Sequence, residues 1–167
     1  MSGLHISAPA LAAVQRGFAE APALTLRELL AAMTQATLLV EREAKERTPR
    51  GATGLTAASI TSDAFSTPVG VLGVVGSSQA SALFVELGTK SHRPPAAALI
   101  PWVRAVLGVD AKRAPSVAYL VARKIARRGT KPQQPLGAAV AATEGQVLQM
   151  FEAAAGRIGA RLAGDAV

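Results

Sequence analysis

The sequence predicts an α+β subunit, with a small antiparallel β-sheet packed with several α-helices, one long helix in the N-terminal half and another at the C-terminus. Three observations predict it. Apolar side chains recur at 3/4 spacing over 25–48 and again from Leu136 to Leu162. Between them, β-branched residues gather from Leu55 to Val75, and glycine and proline then cut the chain into short helical runs. The reading is of a single domain over all 167 residues: an N-terminal extension (1–22), a core (23–136) and the C-terminal helix (137–167).

Residues 8–20 read as a short helix, with Leu11, Val14 and Phe18 on one side, interrupted at Ala21-Pro22. Thr25 and Glu28 then form a capping box, in which hydroxyl and carboxylate each satisfy the other residue's amide. From there Leu26, Leu30, Met33, Thr37, Val40 and Ala44 make one stripe to about Thr48, where Pro49 ends the helix. Its last turns carry Glu41/Lys45 and Glu43/Arg47 at i,i+4. After a turn at 50–54, Leu55–Phe65 and Val69–Val75 read as two antiparallel strands, which need an apolar neighbour to be stable. Gly70 and Gly73 mark a bulge or a close neighbour in the second.

Ser77-Ser78 caps a short helix through Leu87, and Gly88 stops it. Pro94-Pro95 starts another, reaching Leu107, with Pro101 either near its true start or kinking it, and Gly108 closes it. A charged connection, 109–114, leads to a helix from Pro115-Ser116 to Arg128, with Val117, Val121 and Ile125 inward and Gly129 as its stop. Arg123/Arg127 and Lys124/Arg128 are like-charge i,i+4 pairs, which destabilise an isolated helix and call for something acidic opposite. Residues 130–135 are extended. The last helix places Leu136, Val140, Thr143, Val147, Phe151, Ala154, Ile158 and Leu162 on one narrow stripe suited to another helix, and 164–167 fray.

Composition narrows the function. Half of the residues are hydrophobic, but 36 are alanine and six aromatic, so the core is built of small side chains and a monomer is marginal until a partner covers it. There is no cysteine, which excludes disulfides and thiol catalysis. No secretory signal is read at Met1–Ser7, and no uninterrupted apolar run approaches the roughly 20 residues of a membrane span, so a soluble protein is expected. The net charge of +7 has an address: ten Lys and Arg lie between Lys90 and Lys131, against Asp110 alone.

Within Phe84–Trp102 the chain places Glu86, then Thr89, Lys90, His92 and Arg93, then Trp102, its one tryptophan. Glu86 reads either as a rim carboxylate held by Lys90 or Arg93, or as a contact between subunits; Trp102 reads as an anchor. Catalytic patterns are missing. His5 and His92 have no partner at metal-ligand spacing, Glu41, Glu43 and Glu46 are explained by ion pairing, and Gly70, Gly73 and Gly76 match no phosphate-binding motif. No enzyme, metal or cofactor is expected. Two classes remain: a DNA-binding module using the basic helix 116–131 through Arg123, Lys124, Arg127, Arg128 and Lys131, and a structural protein whose same face meets an acidic surface. Only Tyr119 is at hand for stacking, and the alanine-rich composition and long terminal helix favour the structural class.

The blocks V85-E-L-G-T-K-S-H-R-P-P, L99-I-P-W-V-R-A-V-L-G108 and A118-Y-L-V-A-R-K-I-A-R-R-G-T-K-P-Q-Q-P-L136 resemble the gp-ten-like tail components of long-tailed bacteriophages, also described as tail-completion, neck or head–tail joining proteins. T48-P-R-G-A-T-G-L-T-A-A-S-I60 is similar to that family's link between N-terminal helix and sheet, so the resemblance covers about 45–136. One departure is Leu136, where an aromatic is expected after the proline. The resemblance implies a virion protein without catalysis, assembled in the host bacterial cytoplasm as a hexameric or dodecameric ring in the neck. Its expected neighbours are other neck, tail-terminator or tail-tube proteins, with packaged DNA in the channel and no membrane. Glu86, Thr89, Lys90, Arg93 and Trp102 are the expected interface residues.

Overall fold

The computed structural model describes residues 8–164, with side chains described for 19–163. The stripe Leu11, Val14, Phe18, the reading of Met1–Ser7 with His5, and the end of the chain from Asp165 lie outside what is described. The fold is α+β, two thirds helical, with one two-stranded antiparallel sheet. In order it runs α1 (Ala8–Arg47), α2 (Leu55–Ala58), β1 (Ile60–Thr67), β2 (Gly70–Ser77), α3 (Ala80–Leu87), α4 (Ala96–Leu107), α5 (Ala114–Arg128) and α6 (Pro135–Gly164).

Three boundaries differ from expectation. Helix α1 is continuous over 40 residues with Pro22 inside it, so neither the break at Ala21-Pro22 nor the helix start at Thr25 forms. Proline removes one helical hydrogen bond at a cost of about 3 kcal/mol, and the good helix formers on both sides outweigh it. Residues 55–58 form one helical turn, so β1 begins at Ile60, and Val69 lies in the hairpin turn, almost wholly exposed. Helix α3 has Gln79 at its N-cap; the Ser77 hydroxyl accepts the Gln79 amide at 3.1 Å in the turn before it, without capping the helix. The other stops fall where proline and glycine put them: α1 ends at Thr48-Pro49, whose threonine hydroxyl donates to the Ala44 carbonyl, and Gly108 and Gly129 follow α4 and α5 with positive φ. Pro101 lies inside α4.

The chain forms two compact units. One takes its described residues from 8–39, 62–74 and 143–164, the other from 40–61 and 75–142. In the first, Ala32 and Ala36 are buried on α1, and Met33 and Thr37 crowd Gly73 of β2, where an added Cβ would meet the Thr37 methyl at 2.5 Å. The glycine is required by a close neighbour, as its position in the strand predicts. Glu28 is buried there too, and its carboxylate accepts from Arg157 Nε at 2.9 Å and pairs with Arg161 Nη1 at 3.1 Å. The Arg157 hydrogen bond holds the Glu28 carboxyl below the usual carboxylate range against the opposing effect of burial, and the charges of Arg161 and Arg27 add to it. Glu28 therefore serves as a tertiary ion pair instead of a local cap. Its helix segment Ala19–Arg47 is long and apolar enough to span a bilayer by length and composition.

The second unit holds two clusters. Ala44, Ile60 and Ala139 are buried together with Val40, Val75 and Leu136 against them. Val103, Ala114 and Ala118 form the other, covered by Leu99, Ile100, Trp102, Val117 and Val121 among others. On α5 the fully inward stripe is Ala114, Ala118 and Ala122, while Val117, Val121 and Ile125 are only half-buried. On α6 Ala139 is buried and Val140 mostly exposed. Alanine occupies the closest approach because a helix surface bearing only methyl groups lets backbones come nearest. Of the ten buried hydrophobic residues eight are alanine, while sixteen large apolar residues are exposed among those described. Little area is buried per residue, and much apolar surface is left outside.

Candidate functional site

The second unit brings the blocks E86-L-G-T89 and G129-T-K-P-Q-Q-P-L-G137 together. Gly88 and Gly129 end α3 and α5 with φ of +70° and +65°, and each is followed by a threonine. Thr89 and Thr130 form an antiparallel bridge, each amide donating to the other's carbonyl at 3.1 Å, with their hydroxyls 3.0 Å apart. The Gln133 amide adds a bond of 2.9 Å to the Val85 carbonyl. Both glycines are obligatory: a Cβ on Gly88 would strike the backbone of Thr130 and Pro132, and one on Gly129 the Thr89 carbonyl oxygen.

Glu86 completes this join. Its carboxylate accepts the amides of Leu136 (2.9 Å, Oε2) and Gly137 (3.0 Å, Oε1), the second and third residues of α6. A helix leaves its first amides without internal partners. Here Pro135 has no N–H, Gln134 precedes it in a left-handed conformation (φ 51°), and the missing cap arrives from α3. A carboxylate at that end is also favoured by the helix dipole. Glu86 is thus a cap of α6; the pairing with Lys90 or Arg93 does not form, and nothing local to Glu86 marks a partner fifty residues away. Leu136, in place of the expected aromatic, is half-buried on the Ala44–Ile60–Ala139 cluster, so the turn is packed without a ring.

From this join the chain runs to the corner 90–95. Lys90, His92 and Arg93 are exposed, with His92 Nδ1 donating to the Lys90 carbonyl at 3.0 Å in the protonated-Nδ1 tautomer. Pro94-Pro95 and Arg93 face α5 across a groove of about 530 Å³, whose other wall carries Tyr119, Arg123 and Arg127 over a floor containing Ala122 and Ala126. Tyr119, Arg123 and Arg127 follow one i,i+4 row of α5, and the alanines beside them leave the space. Arg93 therefore belongs with Arg123 and Arg127 in one basic groove, although the sequence places it thirty residues away in a separate corner. Tyr119, the one ring expected beside the basic helix, and the Pro94-Pro95 pair, expected only to start α4, both line this groove.

Among the described residues the ion pairs are Lys45–Glu41, Arg47–Glu43 and the Glu28 pair with Arg157 and Arg161, so no groove arginine is neutralised. Lys124, Arg128 and Lys131 are exposed on the same segment. Trp102 is half-buried against the Val103–Ala114–Ala118 cluster. Three guanidiniums on one concavity suit carboxylate or phosphate, which guanidinium binds through paired donors. No three His, Cys, Asp or Glu converge among the described residues.

Apolar surface supplies the second feature. Helix α3 buries none of its residues, and Leu83, Phe84 and Leu87, at i, i+1 and i+4, are each more than half exposed. Helix α2 touches α3, with the Thr56 and Ser81 hydroxyls 2.8 Å apart, and exposes Leu55 beside it. Comparison of the chain with protein-family models, curated proteins and solved structures finds no match.

Proposed function

We propose that the chain is a structural virion protein of a tailed phage, a ring-forming neck or tail-completion component that joins the tail to the DNA-filled head. The observation that carries this reading is the join at 85–137: the two blocks that most specifically resemble the phage family meet, and their shared residues have interlocking structural reasons to be there. The exposed apolar helix α3 and the alanine-rich core add to it, since a subunit with so much uncovered apolar surface is suited to burial against neighbours. In a closed ring each contact joins two different patches. A hexamer or dodecamer, adjoining tail-terminator or tail-tube proteins, is the proposed setting, in the virion neck after assembly in the host cytoplasm. The role is scaffolding and involves no catalysis or cofactor.

The test is localisation together with loss of function. Gold-labelled antibody against the chain is expected at the head–tail joint of intact particles, and removing the chain from a producing cell is expected to leave DNA-filled heads and finished tails unjoined. Label elsewhere, or normal particles without the chain, overturns the reading. A second reading, a DNA-binding module, is favoured by the unneutralised cations Arg123, Lys124, Arg127, Arg128 and Lys131. It requires binding of free duplex with a steep salt dependence.

A further inference from the structure

The basic groove has a counterpart on the same chain. Helix α6 exposes Glu144, Leu148 and Glu152 on one i,i+4 row, Leu148 being more than half exposed. The two carboxylates lie about 12 Å apart along the axis and less than a quarter-turn around it. Neither makes an ion pair among the described residues, and both arginines of α6 within the described side chains, Arg157 and Arg161, are committed to Glu28. On α5 the position is reversed: the row Tyr119, Arg123, Arg127 has no acid within a turn, and Arg93 adds a third cation across the groove. One helix row thus carries only uncompensated positive charge and the other only uncompensated negative charge. Each has an uncharged residue in its row, Tyr119 or Leu148.

We propose that the groove between the Pro94-Pro95 corner and α5 receives the Glu144–Leu148–Glu152 face of α6 from a second copy of this chain. This names one heterologous contact of the assembly and rests on the assembling reading above. The groove, about 530 Å³, has room for side chains that project from a helix. Rows at i±4 from two helices interdigitate in the commonest class of helix packing. Leu148 then lies over the alanine floor while the carboxylates meet the guanidiniums, a match of opposite charge between the two faces. Single-stranded nucleic acid is the poorer occupant, since it uses successive aromatic platforms and the groove has one ring.

The experiment is sedimentation of the full chain and two charge-reversed forms, Arg123→Glu/Arg127→Glu and Glu144→Arg/Glu152→Arg, at matched concentration and low salt. Wild type is expected to self-associate, more weakly as salt rises. Each reversed form sets like charges together and is expected to associate on the order of 100-fold more weakly. An equimolar mixture of the two is expected to recover association, because each groove then meets an opposite charge, and that recovery also shows that both forms are folded. A wild type that stays monomeric, reversed forms that associate like wild type, or a mixture that stays monomeric overturns the proposal, as does wild-type association abolished by added duplex DNA. The neck reading fails separately: association that follows the charge rule in a chain whose removal leaves heads and tails joined keeps this contact and removes that role.

Discussion

Thr89 and Thr130 stand directly across from one another, amide to carbonyl in both directions at 3.1 Å, with hydroxyls 3.0 Å apart. Two identical Gly-Thr dipeptides, each ending a helix, thereby become one short stretch of sheet. Substituting Ala for Gly129 puts a Cβ onto the Thr89 carbonyl oxygen and strains a φ of +65°. The expected loss is at least about 3 kcal/mol, since both strain and overpacking act. Gly51 has a similar φ with open space around it, and Gly51→Ala is expected to cost only about 1 kcal/mol, from strain alone. Urea unfolding of the two variants measures the difference, and equal losses would refute the close-approach account.

Removing the Glu86 carboxylate leaves two amides of α6 without their cap. Glu86→Ala is expected to cost about 1–2 kcal/mol, the range for losing a helix cap. At this chain length that is a fall of roughly 2–8 °C in Tm. Glu86→Gln keeps an acceptor and loses the charge, so a smaller fall is expected. Thermal unfolding followed by circular dichroism decides it; an unchanged Tm for the alanine variant would mean that water replaces the carboxylate without loss.

Acid should weaken the first unit through Glu28. Its folded-state pKa is lowered by the Arg157 hydrogen bond, so its contribution is fully present above the unfolded carboxylate pKa of about 4.3 and is lost as pH falls through the folded value. Stability of wild type is therefore expected to fall between pH 5 and the acid limit more steeply than that of Glu28→Gln, whose profile lacks this component. Denaturant titrations at several pH values measure both slopes. Parallel profiles would show that the ion pair adds nothing.

Exposed positions on α3 separate folding from assembly. Leu83→Ser and Leu87→Ser remove apolar groups that the chain itself does not bury, so unfolding free energy is expected to change by no more than about 0.5 kcal/mol. If α3 is an assembly surface, the same variants lower the mass of any multimer seen by light scattering. A large loss of stability would instead place these side chains in a core.

Much of the fold was legible because its boundaries are chemical. Pro49, Gly108 and Gly129 ended helices for local reasons, and β-branched residues marked the hairpin. Pro22 misled because a proline's local cost was outvoted by the length of helix on either side. Periodicity points to Val117 and Val121 and passes over Ala118 and Ala122 because it weights large side chains, whereas closest approach selects small ones. The site was less legible. Arg123 and Arg127 could be placed on one face from spacing, but Arg93 joins them, and Glu86 reaches α6, only through the path of the folded chain.

The Glu86 cap also sets an order of events. The residue that closes the first turn of α6 is written fifty positions before Leu136. At ordinary translation speeds it leaves the ribosome roughly 3–10 s earlier. Helix α3 and its carboxylate are therefore outside and waiting when the amides of α6 emerge. A fragment beginning after Gly129 carries the helix without its cap, and its first turn should fray in isolation.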